Sequence, residues 1–382
     1  MNNNTINTHT YREVMQQPQA FLDTYEVMKK MRNELLDSFK KNNIDKKTQV
    51  ILSGAGSSAY LADAMVCLYK RSGYTNIRSV ATTDIITNPE FYLDKTTKLV
   101  DVSFGRSGDS PESVASYDVI NKFCKDPFHI IITCNKNGAL AKETSMDNTI
   151  VIVLPDQTND VSLVMTSSFT SMTLAGLLLK DIETIDSKKE KVEEMSKFSS
   201  NILNDRDISK TLEKITNLPI ERAVFLGTGP LKGLARECHL KLQEMTDGKI
   251  ICSYDSFLGL RHGPKAVIKS NTLVVYLFSD DEYTRKYEID LFKQVNVEHK
   301  PAAQIVLSRK RLTDDLMKNI DLQINDTTPS SLAENEYKYI PFVHIGQILG
   351  YKFSVKNGFN PDNPSVSGTI HRVVDGVKIY KY

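Results

Sequence analysis

The chain has 382 residues, 40% hydrophobic and 25% charged, with a formal net charge of +1. That length predicts two or three domains of roughly 150 residues each, in an ordinary globular composition. The balanced charge, with no block of lysines or arginines, argues against a nucleic-acid partner, and no apolar run reaches the ~18 residues needed to span a bilayer.

The opening MNNNTINTHTYREVMQQP is polar and lacks the apolar core of a secretory signal. Phe21, Met28, Met31, Leu35 and Phe39 recur at helical spacing and predict an amphipathic helix in a segment we bound at 1–45. Lys47–Leu52 is a short β-type run. After it comes SGAGSSAYLADAMVCLYKRSG, a glycine turn and a helix that Gly73 ends. The scheme repeats: strand Lys98–Phe104, loop GRSGDS, then a helix with Ser110 at the N-cap and Pro111 at its first position. His129–Cys134 and Thr149–Leu154 are third and fourth strands, and Met165–Leu179 is a markedly apolar helix. These elements make a first domain over 46–185. The charged run Asp186–Glu194 opens a helical linker over 186–205, where the domain boundary is expected.

A second domain, 206–360, restarts the pattern. Ala223–Arg236 can be laid over Val50–Asp63, with Gly54 on Gly227 and Gly56 on Gly229, both 173 residues apart (227 − 54 and 229 − 56). A repeat of this size means two similar domains rather than a solenoid. The helix that follows carries Glu237, Lys241 and Glu244, and the stretch from there to His262 reads as a loop. Thr272–Phe278 and Gln304–Leu307 are later strands, Tyr339–Val355 is an apolar helix, and 361–382 is a proline-rich tail. Helical connections between nearly all-apolar strands predict parallel sheets covered on both faces. The fold class is α/β, each domain a flavodoxin-like αβα sandwich.

Five cysteines (Cys67, Cys124, Cys134, Cys238, Cys252), an odd number with no CxxC pair, read as buried reduced thiols, so a cytoplasmic location is expected. The seven histidines show no HxH or HxxxH spacing, so no metal is expected, and no cofactor either.

Gly54-Ala-Gly56-Ser57-Ser58 opens like a dinucleotide fingerprint. No acidic residue ends the strand after the helix at the usual distance, which argues against a nicotinamide site. A plain tight turn is one alternative. The other is a phosphate site, because Gly105-Arg106-Ser107-Gly108-Asp109-Ser110 follows the neighbouring strand and is also rich in hydroxyls. Such loops converge at the carboxyl ends of parallel strands, where helix N-termini suit an anion. Ser110 also suits a helix cap, so Ser58 and Ser107 are the better ligands. Glu237, Lys241 and Glu244, at i, i+4 and i+7, share one helix face. They are either a solvated row of ion pairs or a carboxylate with a cation, the set that proton abstraction next to a carbonyl needs. His262, in the turn Arg261-His262-Gly263-Pro264, is either a backbone-bonded turn residue or the acid that opens a sugar ring near neutral pH.

Together GAGSS, GRSGDS, the ECHLKLQE helix, LRHGP and the NPDNP tail resemble a duplicated SIS (sugar isomerase) fold. Gln16-Gln17-Pro18, MTSSFTSM and PDNPSVSG further resemble its AgaS-type branch, described as tagatose-6-phosphate ketose/aldose isomerase or galactosamine-6-phosphate deaminase. The resemblance implies two tandem SIS domains and an enzyme acting on a sugar phosphate, as a homodimer or larger homo-oligomer. By similarity to the isomerase half of glucosamine-6-phosphate synthase, Glu244 is the enolising base, Lys241 its cation and Glu237 an ordering carboxylate. His262 opens the ring, in its own subunit's site or a partner's. Ser57, Ser58, Arg106, Ser107 and Ser110 hold the phosphate, with Thr166 and Ser167 nearby. The synthase has a lysine-bearing tail over the sugar; here the tail reads SVSGTIHRVV, and whether Arg372 stands in for that lysine is left open. The synthase also uses an N-terminal cysteine to release ammonia from glutamine. No cysteine precedes Cys67 here, so isomerisation or ammonia release is expected rather than amination. Rival readings are a sugar-phosphate sensor without turnover, an enzyme for a gluco- or fructosamine-type phosphate, and a transcription regulator. The last needs a helix-turn-helix, and the first 45 residues predict one helix.

Overall fold

The computed structural model describes residues 8–142, 147–326, 335–374 and 376–382. The chain forms two compact units. The first comprises Gln19–Glu193 with Ile370–Tyr382, the second Glu194–Thr369 with the residues up to Pro18.

The first unit is built on β1 (Gln49–Gly54), β2 (Ile77–Ala81), β3 (Leu99–Gly105), β4 (Phe128–Thr133) and β5 (Thr149–Val153), in the order β2-β1-β3-β4-β5. The second has β6 (Arg222–Gly227), β7 (Ile251–Asp255), β8 (Thr272–Leu277), β9 (Ala303–Ser308) and β10 (Leu322–Asn325), in the order β10-β9-β8-β6-β7. Every pairing is parallel. Read in the same direction, both sheets have the flavodoxin-like order 2-1-3-4-5, with a switch point between the first and third strands. The repeat extends to register: Gln49 pairs with Leu99 and Arg222 with Thr272, each partner displaced by the same 173 residues. Strands β4, β8 and β9 are buried along their whole length, as near-continuous apolar runs with helices on both faces must be.

The helices that bear on function are, in chain order, α1 (His9–Met15), α2 (Gln17–Lys41), α3 (Ser57–Arg71), α4 (Pro111–Phe123), α5 (Ser167–Lys180), α6 (Lys189–Asn204), α7 (Pro230–Met245), α8 (Glu282–Glu298) and α9 (His344–Lys356). Phe21, Met28 and Leu35 of α2 are fully buried, the face that the sequence periodicity predicts. The run Tyr339–Val355 is not helical throughout in one form. A 3₁₀ segment over Glu336–Val343, containing Pro341, precedes α9, as a proline's missing N–H favours.

Three strands escape the sequence pattern: β2, β7 and β10. The stretch from α7 to His262, expected as a loop, contains β7. β2 and β7 are short, and only part of β2 and none of β7 is buried; β10 has four residues. All three lie at sheet edges, where half-solvated positions blur both the apolar run and the alternation.

Within the second unit the NPDNP segment anchors α1. The Asp362 carboxylate accepts from His9 N at 3.0 Å, Thr10 N at 2.8 Å and Thr10 Oγ1 at 2.8 Å. These are the open donors of a helix start. Gln17 is buried and donates to Val14 O at 2.9 Å and to Gln347 Oε1 of α9 at 2.8 Å. Helix α9 packs tightly on α7 because Gly346 and Gly350 lack side chains. A Cβ on Gly346 would stand 2.5 Å from Cys238 Cα, and one on Gly350 2.8 Å from Lys241 O.

Candidate active site

In the first unit, the turns after β1 and β3 flank the switch point. A Cβ on Gly54 would stand 2.6 Å from the Ser58 Cβ, so the bare glycine lets α3 start directly on the strand end. Gly56, at φ +55°, is the N-cap of α3 and brings no side-chain cap, so nothing at that position covers the first-turn N–H groups. Ser57 and Ser58 are the first two residues of α3 and are buried. In the second turn, the Ser107 hydroxyl accepts from Asp109 N at 3.2 Å. Asn135 Nδ2 donates to Ser107 O at 2.9 Å and Ala139 N to Asp109 Oδ1 at 2.9 Å. Gly138 makes room for this clamp, since a Cβ there would stand 2.1 Å from Ser107 O. Ser110 is the N-cap of α4 with Pro111 at N1, as expected, but its hydroxyl donates to Glu112 Oε2 at 2.8 Å instead of capping the helix.

Three of the residues expected near the phosphate serve the scaffold. The Asp160 carboxylate sits on the N-terminus of α5. It accepts from Thr166 N at 2.7 Å, Ser167 N at 3.2 Å and Ser168 N at 2.8 Å, and from the hydroxyls of Ser167 and Ser168. A helix start attracts an anion, and here the chain's own carboxylate fills it. Arg106 is buried, and its guanidinium donates to Ser162 O at 3.1 Å, Leu163 O at 3.0 Å and Arg372 O. Arg372 in turn donates to Asp160 O through Nε at 2.8 Å and to Asn159 Oδ1 at 2.8 Å. The starts of α3 and α4 have no side-chain cap, with Ser58 N turned to Ala55 O and Ser113 N to Ser110 O, whereas the start of α5 is taken by Asp160.

A buried Ser53–Asp101–His129 chain in the same sheet has the residue types of a hydrolase triad but not its order. Asp101 stands between the others, 2.7 Å from Ser53 Oγ and 3.2 Å from His129 Nδ1, so the histidine does not reach the serine. It ties β1, β3 and β4 together.

In the second unit, Glu237, Lys241 and Glu244 form one chain along α7. Lys241 Nζ lies 3.3 Å from Glu237 Oε1 and 2.8 Å from Glu244 Oε2. The side chains of Glu237 and Lys241 are 0% and 1% exposed, whereas Glu244 is 23% exposed, so of the three only Glu244 opens outward. Burial on its own lowers the Lys241 pKa, but the carboxylates of Glu237 and then Glu244 outweigh it and hold the ammonium above the ordinary lysine value. His239, two residues before Lys241, lays its ring 4.9 Å from that of Tyr254. His262 is exposed in a turn after the short helix Phe257–Leu260, with its N–H bonded to Gly259 O at 3.0 Å and Gly263 at φ +115° beside it. His344 is buried, 2.7 Å from Ser199 Oγ. Burial pushes its pKa down to about 4, so it is neutral near pH 7.

Two residues with local roles were not picked out from the sequence: Asp160, which fills the α5 start, and Glu288 of α8. Glu288 is buried beside the second unit's switch point and accepts from Ser279 N at 2.9 Å. Asp160 stands six residues before the Thr166 N-cap, too far back for the capping pattern to mark it. A mid-helix glutamate carries no such mark. Among the described residues, no group of three His, Cys, Asp or Glu is placed to hold a metal ion, and no helix is long and apolar enough to cross a membrane.

A duplicated 2-1-3-4-5 sheet, serine turns at one switch point and an acid–base helix at the other define a phosphosugar-isomerase type of molecule. No family model matches the chain. It is 34% identical over 338 residues to the D-galactosamine-6-phosphate deaminase AgaS of Shewanella sp. (strain ANA-3), covering 87% of this chain and 82% of that one. The crystal structure of the tagatose-6-phosphate ketose/aldose isomerase of Escherichia coli superposes with a TM-score of 0.89 at 31% identity, covering 98% and 97%. The C-terminal domain of the Francisella tularensis glucosamine-fructose-6-phosphate aminotransferase, 18% identical with a TM-score of 0.75 over 93% and 98%, shares the fold. The chain belongs to the SIS (sugar isomerase) family, AgaS type.

Proposed function

We propose that the protein converts D-galactosamine 6-phosphate and water into tagatose 6-phosphate and ammonia. Family membership supports this reading. The observation that carries it is the Glu237–Lys241–Glu244 chain, a buried ammonium between two carboxylates of which only Glu244 faces outward. Ring opening needs an acid at the ring oxygen, the role given to His262. Glu244 then takes the proton from C2 of the open-chain aldehyde, and Lys241 offsets the charge that develops on O1. The enolamine regains a proton at C1, leaving an imine at C2. Water adds to that imine and ammonia departs, so the ketose gains the oxygen and loses the nitrogen. Ser57, Ser58, Ser107 and Ser110 are assigned to the phosphate, with Arg106, Thr166 and Ser167 supporting their turns. The phosphate is charged and does not cross membranes unaided, which fits a cytoplasmic reaction.

The assembly is proposed as a homodimer or larger homo-oligomer in which His262 serves a partner's site. Its exposed turn supports this, as does the half-solvated strand β7 with Ile251 at 65% exposure. Mixing inactive Glu244→Gln with inactive His262→Asn protein tests it: regained activity means shared sites, and none means each subunit works alone.

The reaction is tested by incubating the protein with galactosamine 6-phosphate, glucosamine 6-phosphate and tagatose 6-phosphate while following ammonia and ketose separately. Equal yields of ammonia and ketose, fastest from the galacto sugar, are expected. Tight binding of all three without turnover would make the protein a sensor.

A further inference from the structure

We propose that Arg372, in the C-terminal tail, is a positioning residue for the phosphate turn and acts through Arg106. The tail from Ile370 onward belongs to the first unit. Ties near both of its ends hold it there. Near its end, Tyr382 Oη donates to Glu90 Oε1 at 3.1 Å, and its ring lies 6.0 Å from that of Phe123. At its beginning, the Arg372 guanidinium grips the 159–160 backbone and side chain through Asp160 O and Asn159 Oδ1.

Arg372 also offers its own carbonyl to Arg106. Arg106 therefore rests on three carbonyls, two from the 162–163 segment and one from the tail. The loop over 159–163 is held from both sides: its Asp160 carboxylate is fixed on α5, and its carbonyls are taken by the two arginines. Each guanidinium donates to backbone carbonyls, and Arg372 to the Asn159 side-chain oxygen as well. Five guanidinium donors in a rigid fork suit that work, and a lysine ammonium does not reproduce it.

Arg106 is the second residue of the Gly105–Ser110 turn, whose far side is clamped by Asn135 and Ala139. Fixing Arg106 therefore fixes the near side of the backbone that presents Ser107. Without the Arg372 guanidinium, the tail carbonyl is held less firmly, the contact it gives Arg106 weakens, and the turn loosens. The tail thus acts on phosphate affinity without touching the sugar.

This inference rests on the assignment of the Ser107 turn to the phosphate, and the experiment separates the two. The full-length protein is assayed with galactosamine 6-phosphate, and inorganic phosphate serves as the competitive probe. Arg372→Ala is expected to raise both KM and the phosphate inhibition constant about tenfold, the size of one lost charge-assisted hydrogen bond, with kcat within about twofold. Arg372→Lys, which keeps the charge and is the variant to use if alanine impairs folding, falls between. Tyr382→Ala, which cuts the other anchor, leaves both constants near wild type. Unchanged KM and phosphate inhibition in both Arg372 variants overturn the proposal, as does a fall in kcat at constant KM. If Ser107→Ala also leaves phosphate inhibition unchanged, the phosphate assignment itself fails. If Ser107→Ala weakens inhibition and the Arg372 variants do not, only the positioning role of Arg372 fails.

Discussion

Gly56 and Gly229 adopt almost the same backbone, φ 55° with ψ −126° and φ 59° with ψ −125°, each as the N-cap of a helix leaving the first strand of its sheet. What stands on the two turns differs. At the 173-residue offset, Ser57 and Ser58 fall on Pro230 and Leu231, so the second turn has no hydroxyl where the first has two. Further along the same pair of helices, Ala64, Leu68 and Arg71 fall on Glu237, Lys241 and Glu244. The neighbouring turns diverge too. The Ser107 turn leaves the α4 start without a side-chain cap, whereas in the second unit Asp281 caps α8 by accepting from Thr284 N at 2.8 Å and Glu288 takes Ser279 N. The duplicated frame kept its glycines, because a Cβ at Gly54 or Gly227 meets the following helix within 2.6 Å or 2.3 Å, and the polar chemistry was divided between the copies. On the proposed assignment, the first copy meets an anion with its serine hydroxyls and the second carries the acid and base on α7.

The largest effect that would break this comparison comes from Glu244→Gln. Loss of a positioned general base costs about 10²–10⁴-fold in kcat. Ammonia release should fall by that factor while inorganic phosphate still competes, because the proposed phosphate residues belong to the other copy. Undiminished ammonia release removes Glu244 from the chemistry.

Next in size is the buried pair beneath it. Lys241→Leu leaves Glu237 buried without its ammonium, which should cost about 3–5 kcal/mol in urea unfolding. Glu237→Ala with Lys241→Leu recreates the apolar pair that the first copy carries at Ala64 and Leu68, both buried. The double variant should lose less than the single, since no uncompensated charge remains. If it loses more, the pair is needed for packing rather than for charge balance.

The division of labour was legible in the sequence where it depends on spacing. Glu237, Lys241 and Glu244 follow from helical periodicity, and the glycine turns from the need for a tight strand-to-helix junction. The central strands announced themselves as apolar runs. β2, β7 and β10 did not, because an edge strand buries too little to enforce a pattern. Thr166, Ser167 and Arg106 were expected beside the phosphate through the family resemblance. Nothing local reveals that Asp160 and three carbonyls already occupy those donors, for these partners are fixed by loop packing and by a tail more than 200 residues away in sequence.

A pH effect sharpens the contrast at the second switch point. Burial pushes the Glu288 carboxyl from its ordinary 4.5 up to about 7, against the lowering effect of bonds from Ser279 N and the Thr228 side chain. Because the folded pKa lies above the unfolded one, the folded state keeps a proton that the unfolded chain gives up. Stability from this group is therefore complete below about pH 4.5 and is lost as pH rises through 7. The difference is worth up to about 3 kcal/mol. Glu288→Gln should raise the melting temperature relative to wild type at pH 8 and make no difference at pH 4.5. A variant less stable at both pH values would mean that the carboxylate, not the acid, is the form the fold requires.

The smallest expected effect asks whether the hydroxyls of the first turn are what sets it apart. Ser58→Ala removes one donor from a buried helix start and should raise KM and the phosphate inhibition constant about tenfold, with kcat little changed, as for uniform binding of a group remote from the reacting carbons. The matching change in the other copy is Pro230→Ser, which puts a hydroxyl where Ser57 stands in the first. Proline suits the first helical position because its missing N–H needs no partner there, so serine at 230 restores a donor as well as a hydroxyl. If a glycine turn with a serine were enough to hold phosphate, Pro230→Ser would add a second inhibitory site, visible as biphasic competition by inorganic phosphate. Monophasic competition at the wild-type constant is expected instead, because the Asp281 carboxylate stands at the adjoining turn and would repel a dianion, and Ser279 N is already taken by Glu288. Biphasic competition would show that the copies differ only in their hydroxyls, and that the carboxylates of the second switch point do not close it.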